Sequence, residues 1–120
     1  MGEWEAWQIG GAWDSLCAEC DSGLRAALKA RLFRLRQLGN RARYPLSSHL
    51  EDGIYELRAQ NSGNIARALF IFMPGFRIVF LNGFIKKTQK TPRREIEIAK
   101  SRRAFVEGER ENEQIRPVEN

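Results

Sequence analysis

Apolar residues recur along this chain first at helical spacing and then at strand spacing. Trp13, Leu16, Cys17 and Cys20 stand at i, i+3, i+4 and i+7, the stripe of a short helix, and Asp21-Ser22-Gly23 follows with residues that turn and cap. A second helix is predicted over 24–38, where Leu24, Leu28, Leu32, Leu35 and Leu38 share one face and Gly39-Asn40 supplies a stop. Arg31 interrupts that stripe, and Phe33 lies opposite it.

Residues 40–53 read as a polar connection carrying Pro45, Ser47, Ser48, His49 and the turn pair Asp52-Gly53. Three strands are predicted beyond it, over 54–59, 65–73 and 76–85, with turns at 60–64 and at Pro74-Gly75. Such short turns make neighbouring strands antiparallel, so the three form a meander. Thr91 can cap a last helix with Pro92 at its first position, and Ile96, Ala99, Arg103 and Val106 line one side of it. The alternation of Trp4, Ala6 and Gln8 with Glu3, Glu5 and Trp7 permits a short strand at the start. The expected fold class is α+β: N-terminal helices packed on a mainly antiparallel meander, with a C-terminal helix.

At 120 residues the chain is the size of one domain. Its formal charge of +5 hides a division. Residues 107–120 hold five glutamates against two arginines, a charge of −3, which leaves +8 on residues 1–106. The domain is therefore assigned to 1–106, and 107–120 is expected to be a disordered acidic tail. A positive domain suits a polyanionic partner. Cys17-Ala-Glu-Cys20 has redox or zinc spacing, but a structural zinc site needs four soft ligands and His49 is the only histidine. Core packing accounts for both thiols, and no metal or cofactor is expected. No apolar run is long enough to span a membrane, and MGEWEAWQIGG lacks the pattern of a signal peptide, so a cytoplasmic protein is expected.

The candidate chemistry lies in the cations. Lys86, Lys87, Lys90, Arg93 and Arg94 fall within nine residues that contain no acid, at the junction of the last strand and the last helix. Like charges repel, so a compact domain that keeps this run is expected to hold it for an anion such as phosphate. If Gln60 opposes Ile65 across the first hairpin, Arg58 opposes Arg67 on one sheet face. Either a carboxylate, Glu56 or Glu95, neutralises that pair, or the two form a fork for phosphate oxygens. A second basic stretch, residues 25–43, carries seven cations and no acid, and reads first as a solvated face.

DGIYELR at 52–58, GNIARALFIF at 63–72 and NGFIKKTQKTPRREIEIAK at 82–100 resemble the HigB-type, phage-derived branch of the RelE/ParE toxin superfamily. The resemblance covers about residues 24–106 and is most specific in GFIKKTQKTP. It implies a RelE-like fold and the toxin of a type II toxin-antitoxin system that cuts messenger RNA on the translating ribosome. The implied partners are that mRNA and a helix-turn-helix antitoxin of HigA type. Carried over by position, Arg67, Arg58, Lys87 and Lys90 are the implied catalytic residues. Lys86, Arg93 and Arg94 of the cation run, with His49, are the candidate RNA contacts, although His49, in a connection before a strand, reads first as structural or exposed. Ala66 and Phe70 depart from the family pattern, which commonly has an aromatic before the strand arginine and a tyrosine after it. Two other readings stay open: a ParE-like gyrase inhibitor without catalysis, and an inactive basic binding module of prophage origin.

Overall fold

The computed structural model describes residues 2–87, 90–108 and 114–119. Strand β1 (Glu5–Ile9) leads into helices α1 (Ala12–Glu19) and α2 (Ser22–Leu38), a 3-10 turn at Gly39–Arg41, and strands β2 (Ser47–Glu51), β3 (Ile54–Asn61), β4 (Asn64–Met73) and β5 (Arg77–Lys86). Helix α3 (Arg93–Gly108) and a short strand β6 (Ile115–Pro117) follow. The sheet order is β2-β3-β4-β5-β1-β6. Strand β1 runs parallel to β5, and the other neighbours are antiparallel.

The α2 stripe explains the largest layer. The Asp21 carboxylate accepts from the Leu24 amide at 2.8 Å and starts the helix, and Leu24, Leu28, Leu32 and Leu35 are then buried. They pack with Trp13, Leu16, Leu57, Ala59, Ala66, Ala68, Phe70 and Phe80 on one face of the sheet. Three of the strand residues there are alanines, which lets the helices approach the backbone closely. Ala66 and Phe70, the two departures from the family pattern, are thus fully buried beneath α1 and α2. They bear on packing. Helix α2 ends at Gly39, whose φ of +56° is open to glycine, and a Cβ there would fall on the Trp4 indole. Trp4 and Arg36 exchange two hydrogen bonds, Trp4 amide to Arg36 carbonyl at 2.8 Å and Arg36 Nε to Trp4 carbonyl at 3.0 Å.

On the other face α3 lays Ile96, Ala99 and Val106 against Ile54, Leu69, Ile71, Val79, Leu81 and Phe84. A bulge in the β4–β5 pairing, with Leu69 opposite Asn82 and Phe70 opposite Phe80, shifts the alternation of β5 by one residue. Leu81 and Asn82 consequently both face α3, and Phe84 and Lys86 continue that face.

Two segments differ from the sequence expectation. The connection over 40–53 contains β2, which pairs with β3 through the Asp52-Gly53 turn. Its SSHLE sequence carries no apolar alternation because, at the sheet edge, only Ser47 of the five is buried and no apolar face is required of it. The expected disorder of the tail does not hold for 114–119: β6 pairs with β1, and the Val118 amide donates to the Ala6 carbonyl at 2.9 Å. Burial of Val118 against the helix-side core supplies the reason. Residues 109–113 and 120 lie outside the described residues.

Leu28 is wholly buried between α2 and the sheet. Leu28→Ala is expected to cost about 2–5 kcal/mol in urea unfolding, and a loss below about 1 kcal/mol would contradict this packing.

Candidate functional site

The α3-facing side of the sheet sets out its polar residues in three rows. Arg58, Arg67 and Phe84 oppose one another across β3, β4 and β5, with Gln60, Ile65 and Lys86 in the row beyond and Glu56, Leu69 and Asn82 in the row before. The expected register of Arg58 opposite Arg67 is the observed one. The hairpin that sets it closes on Ser62-Gly63, with Ser62 and Gly63 both at positive φ.

Arg67 is fully buried, with its guanidinium carbon 5.9 Å from the centre of the Phe84 ring. Burial lowers its pKa, the Glu56 carboxylate opposes that shift, and the Arg58 guanidinium adds to it. Arg58, half-buried at the edge of the row, donates from Nε to Glu56 Oε1 at 2.5 Å. The second Glu56 oxygen accepts from the Thr91 hydroxyl. A single buried carboxylate therefore bonds one guanidinium, favours the charge of the other electrostatically and fastens the end of the basic segment to the sheet. Of the two neutralising carboxylates expected from sequence, Glu56 does this work. Glu95 turns instead to Asn82, whose Nδ2 donates to its carboxylate at 3.1 Å and its carbonyl at 3.2 Å.

Lys86, Lys87, Lys90 and Arg94 are exposed; Lys86 lies on the same sheet face as Arg58 and Arg67, and Lys90 directly precedes Thr91, which bonds Glu56. Arg93 is taken up elsewhere. It bonds to Glu97 at 2.5 Å and to Glu51 through both terminal nitrogens, the Nη2 contact at 2.9 Å. Lys100 also pairs with Glu51, and lies 3.1 Å from Asp52. These bonds staple α3 to the β2–β3 turn, and the hydrogen bonds from Arg93 and Lys100 hold the Glu51 carboxyl at about 2. His49 stands apart from the row. It is exposed on β2 opposite Tyr55, whose ring packs into the helix-side core, and its Nε2 accepts from the Gly53 amide at 3.2 Å. His49 and Arg93 thus do not join the cations that the register collects.

The Thr91 to Glu56 bond joins residues 35 apart and has no local signal in the sequence, whereas the spacing of two between Glu56 and Arg58 puts that pair on one face. The cysteines pack as their helical spacing suggested: Cys20 is buried with its thiol donating to the Leu16 carbonyl at 3.3 Å, and burial raises the pKa of both thiols. Among the described residues no three His, Cys, Asp or Glu side chains gather as a metal site. No helix is long and apolar enough to cross a membrane.

A sheet face on which paired guanidiniums exceed their carboxylate, bordered by exposed lysines, is suited to a phosphate-bearing ligand. Residues 18–104 match the family described as Phage derived protein Gp49-like (DUF891), and the chain belongs to that family. The family lies within the RelE/HigB-like toxin group. The match takes in α2, β2 to β5, most of α3 and every cation of the row and of the segment after it. No curated protein matches the chain.

Glu51 gives the staple between α3 and the β2–β3 turn a pH signature. Its folded pKa of about 2 lies below the ordinary 4.5, so the stabilisation it brings is complete above about 4.5 and is lost as pH falls through about 2. The protection of amides at the start of α3, taken against the intrinsic exchange rate at each pH, is expected to fall over this window in the parent. Glu51→Gln is expected to flatten that part of the response, and an identical profile in the variant would contradict the staple.

Proposed function

We propose that the protein is the toxin of a type II toxin-antitoxin pair, of HigB type, and acts as a metal-independent endoribonuclease on mRNA held by the translating ribosome. The observation that carries this reading is the register of Arg58 opposite Arg67 with Lys86 on the same face, at the point where the basic segment leaves the sheet. Membership in a toxin-like family supports it.

The chemistry asked of such a site is mostly electrostatic. The ribose 2′-hydroxyl gives its proton to solvent water or hydroxide as it attacks the adjoining phosphorus, and the P–O5′ bond breaks as the 5′ oxygen takes up a proton. The nucleophile belongs to the RNA itself. What the protein supplies is orientation, charge for the phosphorane and a proton donor. Arg58 and Lys86 are the cations of this sheet face with solvent access to a phosphate, and Arg67 adds its charge from beneath. Lys87 or Lys90 delivers the proton to the leaving oxygen. Glu56 acts by position, holding Arg58 and Thr91 in place. Ala66 and Phe70 do not weigh against activity, because both lie in the core on the far face of the sheet. The partner in this reading is a helix-turn-helix antitoxin of HigA type, encoded beside the toxin.

Mapping RNA ends after brief induction tests the proposal. New breaks inside translated frames are expected. A variant with Lys86, Lys87 and Lys90 all changed to Ala is expected to cut at least about a hundredfold more slowly at an unchanged melting temperature. Intact transcripts accompanied by double-strand DNA breaks would overturn the ribonuclease reading in favour of gyrase inhibition.

A further inference from the structure

We infer that the exposed side of α2, together with the turn between β4 and β5, forms a second RNA-binding surface, on which the helix cations hold phosphates and an aromatic cleft takes a base. This rests on the reading of the protein as one that acts on RNA. It concerns the opposite face of the molecule. Helix α2 covers the sheet face away from Arg58 and Arg67, and the β4–β5 turn lies at the Met73–Arg77 end of the ladder, whereas Lys86 lies at the Ile65 end.

No acidic residue occurs between positions 22 and 50. With its leucines turned inward, α2 presents Lys29, Phe33 and Gln37 at successive four-residue steps along its exposed side, and Arg34 beside them. Phe33 is 60% exposed. Arg34 donates to the Gln37 side chain at 3.3 Å, and among the described residues Lys29, Arg34 and Arg41 make no ion pair with a carboxylate. A helix face that intersperses uncompensated cations with an aromatic ring in water gains nothing for the fold from either.

This stripe runs into a cleft of about 580 Å³ whose lining includes Trp4, Gln37, Asn40, Arg41 and Phe76. Phe76 is 68% exposed and meets the Trp4 ring edge-on at 5.3 Å. Its φ is +59°, a left-handed conformation that glycine adopts freely and a bulky side chain does not. Strain of this kind on an exposed aromatic points to a use outside the fold. Cations that track a backbone beside aromatic faces that stack bases are what binding of single-stranded nucleic acid requires. Glu3 and Glu5 also line the cleft. Glu3 pairs with Arg36 at 3.4 Å and Glu5 accepts from Trp7 Nε1 at 3.1 Å, and their carboxylates suit the amino group of a base better than a phosphate. Phosphates are therefore expected along α2 and the base in the cleft.

The test is fluorescence anisotropy of the full chain with a labelled, uncleavable 2′-O-methyl single-stranded RNA over a range of salt. Arg34→Gln and Arg41→Gln are each expected to lower the slope of log affinity against log salt by about 0.7. Phe76→Gly is expected to weaken binding about five- to a hundredfold, the worth of one stacked base, while the melting temperature holds or rises as the strain is relieved. Parent-like binding by these variants would overturn the inference, as would parent protein that fails to bind. Equal displacement of the RNA by poly-glutamate would overturn it too, marking the face as a site for an acidic protein. Loss of binding only on changing Lys86 and Lys87 would refute this second surface and leave the nuclease proposal standing.

Discussion

Glu56 is the interaction on which the α3 side of this molecule depends. Antiparallel pairing sets Arg58 directly opposite Arg67, an arrangement that repels, and one of the two guanidiniums is wholly buried. A carboxylate at the next same-face position of the strand makes that tolerable by bonding Arg58 with one oxygen and Thr91 with the other. Removal of one partner from a buried charge cluster is costly, about 3–5 kcal/mol, so Glu56 controls the stability of the row and the position of Thr91 ahead of α3.

The rest of the architecture places that cluster where it can be reached. Two apolar layers hold the sheet from both sides, and α3 is fixed at its start by Thr91 and Asn82 and along its length by the Arg93, Glu51 and Lys100 bonds. The bulge in β5 is part of the same arrangement. It turns Asn82 towards Glu95 and brings Phe84 and Lys86 onto the arginine face. The exposed lysines then stand at the end of a rigid face, beside charge that the protein has already desolvated.

Much of this could be read from the chain because it follows from periodicity. The leucine stripe gave α2, the alternation gave the meander, and the Asn61 to Asn64 turn fixed the register that opposes the arginines. What could not be read was long-range and polar. Strand β2 has no apolar alternation, β6 is three residues long at an edge, and nothing local tells that Arg93 meets Glu51 from 42 residues away. His49 was grouped with the cations by residue type, yet its strand pairing turns it to the other face. Ala66 and Phe70 depart from the family pattern, and their burial under the helices gives them a packing role.

A double-mutant cycle on Glu56→Gln and Arg67→Met, followed by urea unfolding, measures the central interaction directly. Each single change should be strongly destabilising and the pair less so than their sum, with a coupling of about 0.5–3 kcal/mol. Strictly additive losses would contradict the account, for they would mean that the buried guanidinium does not depend on that carboxylate.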